Sequence, residues 1–293
     1  MMRRRVVLTL KRHACSLLAT LFGYKPSFRR FAIEPDDVFI VSYPRSGNTW
    51  VRFLVGNLIA SSPTTFANVD ERVPDIYKTD IETLSRSQRP RYLKSHETVD
   101  SRYPTVIYVV RDPRDVLVSY YHYKMRLNRI PDGHSIAGFA KGFIKGSLDS
   151  FGSWADHVSG WLNSREGSSG FLLVRYEDLL EYPYRETERI TDFLGISCSQ
   201  ARVRQAVEQA SFSQMRQLEE THQQSWAEAQ GARTDIPFVR AGTREQWKTV
   251  CPEEIVSEIE TRWRYWLVKL GYLTDEHVQG EAALFDGDSS PAR

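Results

Sequence analysis

Apolar spacing changes period once near the start of the chain. Val38 to Tyr43 is a short apolar run rich in β-branched and aromatic residues, the pattern of a strand buried on both faces. Pro44 ends it, because proline cannot donate to a strand ladder. Ser46 and Gly47 mark a tight turn. From Thr49 the apolar positions Trp50, Phe53, Leu54, Leu58 and Ile59 follow helical spacing. A strand, tight loop and helix in that order aim several backbone N–H groups at one spot, where phosphate binds well.

The pattern continues in similar units. Arg91 to Glu97 reads as a short strand that places Lys94 and His96, two apart, on one side. Pro104 to Val110 is a clear buried strand leading to a helix from Val116 to about Leu127, with Pro113 suited to its first turn. Trp154, Val158, Trp161 and Leu162 form an apolar helix face that reads as core. Phe171 to Arg175 is another buried strand, leading into Tyr176. Helices are expected over 181–194, closed by Gly195, over 199–210, and over 253–270 with Ile255, Ile259, Trp263, Trp266 and Leu270 inward. Residues 219–236 read as a polar, irregular loop of the lid or mobile kind.

The 293 residues and an apolar fraction of 41% suit one large α/β domain, expected over 31–275. Residues 276–293 read as a disordered tail. A net charge of +2 speaks against general nucleic-acid binding, so any anion site is local. Cys15, Cys198 and Cys251 are scattered, which fits a reducing, cytoplasmic setting and neither a disulfide framework nor a zinc site. Residues 1–30 form a basic amphipathic segment: Val6, Leu10, Leu17 and Leu21 share a helix face, with Arg4, Lys11 and Arg12 on another. Two readings stand for it: packing on the domain, or peripheral membrane contact through residues 3–22. Its apolar run is too short to span a bilayer.

The first loop is not a Walker A, since the Gly-Lys pair is missing. Tyr43-Pro-Arg-Ser-Gly-Asn-Thr-Trp50 instead resembles the 5′-phosphosulfate loop of the cytosolic-type sulfotransferase family, usually Tyr-Pro-Lys-Ser-Gly-Thr-Thr-Trp. Lys94-Ser-His96 resembles that family's Lys-Thr-His. Arg111, with Ser119 eight residues later, looks like its 3′-phosphate signature. Ala210 to Met215 resembles its Thr-Ser-Phe-x-x-Met, and Arg240-Ala-Gly242 with Trp247-Lys248 resembles its last signature.

The resemblance covers about residues 36–272 and implies a single α/β domain, with a central parallel sheet flanked by helices and a P-loop-like nucleotide-binding core. It implies 3′-phosphoadenosine-5′-phosphosulfate, PAPS, as donor, no metal, and in-line transfer to a small-molecule hydroxyl or amine. His96 would be the general base, with Arg45 and Lys94 neutralising charge at the departing oxygen. Arg45, Ser46, Gly47, Asn48 and Thr49 would hold the 5′-phosphate. Arg111, Ser119, Arg240, Ala241 and Gly242 would hold the 3′-phosphate, and Trp50, Tyr176, Phe212 and Met215 would frame the adenine.

Departures are Arg45 for Lys, Asn48 for Thr, Ser95 for Thr, Ala210 for Thr and Ala241 for Lys, while Glu245 stands where a glycine is usual. The family's dimer segment is shortened around Lys248 to Pro252, so no dimer is carried over. For Phe212 a core role competes. Phe66, Tyr77, Tyr121 and Phe151 are equally core or pocket candidates. A P-loop-type nucleotide kinase and a non-catalytic nucleotide-binding protein remain as alternatives, separable by titrating ATP against PAPS.

Overall fold

A computed structural model describes residues 31–222, 226 and 229–274. The amphipathic segment 1–30 and the tail 276–293 lie outside the described residues. Four strands, β1 (Val38–Ser42), β2 (Tyr92–Ser95), β3 (Thr105–Val110) and β4 (Phe171–Arg175), form one parallel sheet in the order β2-β1-β3-β4. Val38 of β1 pairs with Tyr92 of β2 and with Thr105 of β3, and Val106 of β3 pairs with Phe171 of β4. All four strands therefore end at one edge, where open α/β sheets receive ligands.

The near-continuous apolar run of β1 is explained by its two covered faces. Phe39 and Val41 pack into one core cluster, with Tyr108, Trp154, Trp161 and Trp263. Val38 and Ile40 pack into a second, with Phe53, Ile107 and Val174. Each such side chain, fully buried, contributes about 1.5–3 kcal/mol.

Helix α1 (Asn48–Ile59) follows β1. Short helices α2 (Val69–Arg72) and α3 (Ile81–Arg86) precede β2. After β3 come α4 (Pro113–Arg126), α5 (Ile136–Lys145) and α6 (Trp154–Arg165). Asp112 caps α4 by accepting from the Arg114 N–H, and Ser153 and Asp156 form a reciprocal capping box on α6.

The helix expected over 181–194 is α8 (Pro183–Leu194), closed by Gly195, and Glu181 is instead the last residue of a separate short helix, α7 (Tyr176–Glu181). Pro183 cannot continue a helix through Tyr182 but suits the first position of the next. Then follow α9 (Gln200–Gln209), α10 (Phe212–His222), α11 (Trp247–Val250) and α12 (Glu253–Lys269).

One further expectation needs correction. The supposed irregular loop 219–236 begins as the last turn of α10, and Trp226 within it is buried against Phe66 and Phe238. Glu219 pins the far side by accepting from the Phe238 and Val239 N–H groups at 2.6 and 2.8 Å. In α12, Trp263 departs from helical angles (φ −114°). Beyond it Leu267 is fully buried, and Trp266, half-buried, packs against the same core as Ile255, Ile259, Trp263 and Leu270, as the spacing predicts.

Candidate active site

A cavity of about 500 Å³ opens over the carboxyl ends of β1, β2 and β3. Of the site residues that the sequence singles out, all but Ser46 line it. Ser46 is buried, with its hydroxyl unpartnered, and its N–H donates to the Tyr43 carbonyl at 3.3 Å to close the turn. The turn takes two left-handed residues, Arg45 (φ 70°) and Gly47 (φ 104°). It delivers the first N–H groups of α1, which have no partner within the helix, to the cavity edge.

Asn48 does not present its amide to a ligand as the resemblance implies. Its Nδ2 donates to the Ile40 carbonyl at 3.0 Å and reaches Ser42 Oγ at 3.3 Å and the Ser95 carbonyl at 3.4 Å. The side chain thus ties the ends of β1 and β2 together. Only its backbone N–H remains for a phosphate.

Arg45 and Ser119, assigned from sequence to opposite phosphates, touch: Nε donates to Oγ at 3.3 Å. The guanidinium is sandwiched between the rings of Tyr123 (4.5 Å) and Phe238 (4.3 Å). Neither aromatic was legible as a site residue, because both lie far from the loop in sequence. Arg111 lies over the Tyr176 ring at 4.1 Å and donates to the Thr243 carbonyl at 3.2 Å, with its Nε unpartnered. Arg240 reaches Gln246. Burial, then the charge of Arg111, pulls the Arg240 guanidinium below its ordinary value. Two guanidinium groups that oppose each other's charge are what a bound dianion relieves.

Arg114 and Asp115, adjacent at the start of α4, do not pair with each other. Arg114 pairs with Asp112 at 2.6 Å, while Asp115 accepts from the Glu245 and Trp247 N–H groups at 2.7 and 3.2 Å. Asp115 thereby anchors the segment that follows Gly242.

Trp50 and Tyr176 meet edge to face at 5.5 Å. Phe212 is 41% exposed, which removes the core reading, and its ring lies across Gly242. A Cβ on Gly242 would come within 2.3 Å of that ring, so only glycine fits there. Met215 is buried beneath them.

His96 sits just past β2 and is held from three sides. Its N–H donates to the Tyr77 hydroxyl at 2.8 Å, its carbonyl accepts from His157 Nε2 at 3.1 Å, and its Nδ1 lies 2.7 Å from the Ser42 carbonyl. A carbonyl only accepts, so Nδ1 carries the proton and Nε2 keeps the lone pair. The rings of Tyr77 and Phe151 flank the imidazole, each within 6.3 Å of it. Burial, then the Lys94 charge, pushes the imidazole down to about 3. Tyr77 and Phe151 line the cavity, whereas Phe66 belongs to the core and Tyr121 does not line the cavity.

Lys94 donates to Asp75 at 2.8 Å, and both are buried. Burial opposes the charge on Asp75, but Lys94, Arg52 and the hydrogen bonds together bring it below its usual range. Asp75 was missed in the sequence. It reaches Lys94 through an isolated parallel bridge between residues 75 and 94, which no local pattern announces.

The sheet and the cluster of cations over its carboxyl edge define an α/β protein built to hold an elongated anion beside a neutral imidazole. Residues 35–271 match the model of the sulfotransferase domain. The chain is 30% identical over 235 residues to Sulfotransferase 2A2 of Rattus norvegicus, covering 76% of this chain and 81% of that protein. It is also 30% identical over 236 residues to Sulfotransferase 1A1 of the same organism, covering 75% and 80%.

Its fold is similar to a mouse sulfotransferase, SULT7A1, complexed with PAP (TM-score 0.68, 23% identity, 87% of this chain and 92% of that one). It is similar too to retinol dehydratase in complex with androsterone and the inactive cofactor PAP (TM-score 0.66, 22% identity, 82% and 83%). The chain belongs to the sulfotransferase domain family. It is a sulfotransferase enzyme, and the kinase and non-catalytic alternatives fall away.

Proposed function

We propose that the chain moves the sulfuryl group of PAPS to the hydroxyl of a small-molecule acceptor, with His96 as general base. The observation that carries this is the fixed tautomer of His96: Nδ1 is committed to Ser42, and the residue lines the same cavity as Arg45, Arg111 and Arg240. PAPS supplies the activated sulfuryl group.

The loop N–H groups of residues 47–49 take the 5′-phosphate, while Arg111, Ser119 and Arg240 take the 3′-phosphate. Trp50, Tyr176 and Phe212 frame the adenine. The acceptor enters between Tyr77 and Phe151, and Nε2 takes its hydroxyl proton as the oxygen attacks sulfur. Lys94 and Arg45 offset the charge that builds on the departing oxygen. Arg45 stays charged throughout, so its part is electrostatic rather than proton donation. An imidazole held at about 3 by burial and by Lys94 is a weak base. A polyanion bound beside it favours the imidazolium and raises that value toward the useful range.

A cytoplasmic setting belongs to this reading on sequence grounds, and for the basic amphipathic N-terminus packing on the domain and peripheral membrane contact both stay open. The test is sulfuryl transfer from labelled PAPS to a panel of hydroxyl acceptors. His96→Ala should abolish turnover while PAP still binds. Near-normal turnover in that variant would overturn the base assignment, and turnover with ATP but not PAPS would overturn the donor.

A further inference from the structure

Helix α6 carries three buried nitrogen donors on its inward face, and each ends on a backbone carbonyl beside the cavity. Trp154 Nε1–H donates to the Arg111 carbonyl at 3.1 Å. His157 Nε2–H donates to the His96 carbonyl at 3.1 Å. Trp161 Nε1–H donates to the Glu97 carbonyl at 3.0 Å. The spacing of three and four residues stacks these side chains on one helix face. All three are fully buried.

His157 is fixed in its role by Tyr108, whose hydroxyl lies 2.8 Å from Nδ1. Because His96 offers a carbonyl, Nε2 must carry the proton and Nδ1 must accept from Tyr108. Burial also holds His157 low, at about 4, so it stays a neutral, single-tautomer donor. A purely apolar core needs no such arrangement. Three indole and imidazole N–H groups without partners would each be costly here, so the carbonyls and the donors specify one another.

We infer that α6 is a positioning helix that sets the separation between the base and the 3′-phosphate arginine, His157 fixing the His96 segment and Trp154 the Arg111 segment. The two segments leave different strands, β2 and β3, and only α6 donates side-chain hydrogen bonds to both carbonyls among the described residues. Neither Trp154 nor His157 lines the cavity, so both act through other residues. The inference rests on the proposed roles of His96 and Arg111.

The test is a split between turnover and donor binding. His157→Leu should lower kcat roughly tenfold or more, as a misplaced base does, with PAP affinity unchanged within about twofold. His157→Gln, whose amide N–H reaches the same carbonyl, should restore most of that loss. Trp154→Phe keeps an aromatic ring but no donor, and should weaken PAP about fivefold, with a smaller effect on kcat. If His157→Leu does not fold, Tyr108→Phe decides: a fall in kcat at unchanged PAP affinity supports the inference, and unchanged kcat overturns it.

Equal losses in His157→Leu and His157→Gln, or parallel changes of kcat and PAP affinity in both the His157 and Trp154 variants, would show packing alone and overturn it. His96→Ala is run alongside. Retained activity there defeats the base reading, whereas an inactive His96→Ala with a normal His157→Leu defeats only the positioning role.

Discussion

Gly47 and Tyr176 stand so close that a Cβ on the first would lie 2.7 Å from Cδ2 of the second. Gly47 also holds φ at 104°, outside the usual range of other residues. The turn that opens α1 and the ring that Arg111 covers are thus one packed unit. Gly47→Ala should cost about 1–3 kcal/mol of stability from backbone strain and weaken PAP binding as well. Chemical denaturation together with PAP titration checks this. An alanine variant with both properties intact would mean that the turn relaxes freely.

The Arg111 guanidinium is positioned by Tyr176 and Thr243 and has an unpartnered Nε. Charge-assisted hydrogen bonds of this kind are worth about 1.5–3 kcal/mol. Arg111→Ala should therefore weaken adenosine 3′,5′-bisphosphate by roughly ten- to a hundredfold. Adenosine 5′-monophosphate, which lacks the 3′-phosphate, should bind the variant almost as it binds the parent. Calorimetry with both ligands measures the difference, and equal losses would place the 3′-phosphate elsewhere.

Asp75 and Lys94 form a buried pair at the cavity wall. Removing one partner of such a pair leaves an uncompensated charge and costs about 3–5 kcal/mol. Asp75→Asn should lose stability on that scale. Asp75→Leu combined with Lys94→Met should lose much less, because no bare charge remains. Urea unfolding of the two variants compares them directly.

Acid should destabilise the fold in a defined window. His96 is held at about 3, and His157 and His122 at about 4, with burial the chief cause in each. The same groups titrate at about 6.5 in the unfolded chain. Between those values the unfolded chain binds more protons, so stability rises with pH across the window. It is fully present above about pH 6.5 and is lost as pH falls toward about 4 for His157 and His122 and about 3 for His96. Denaturant titrations at pH 7, 6 and 5 should show steadily lower midpoints. A polyanion beside His96 favours its imidazolium, so PAP binding should take up protons on the acid side of this window. A flat stability profile would contradict the burial of these rings.

The strand–turn–helix of Val38 to Ile59 was legible in the sequence because local spacing dictates it: a two-faced apolar run, a proline stop, a glycine turn and a helical period. The buried strands at Thr105–Val110 and Phe171–Arg175 were legible for the same reason. Motif order then brought His96, Arg111 and Phe212 to one expected site. What tertiary structure alone decided are the long-range partners. Asn48 turns its amide to the neighbouring strand end, Asp75 finds Lys94, and Arg45 slots between Tyr123 and Phe238. Trp154 and Trp161 read as plain core, yet their indole N–H groups serve the segments around the cavity. Apolar periodicity records which face is buried. It does not record which carbonyl a buried donor will meet, because that depends on strand order and register across residues distant in the chain.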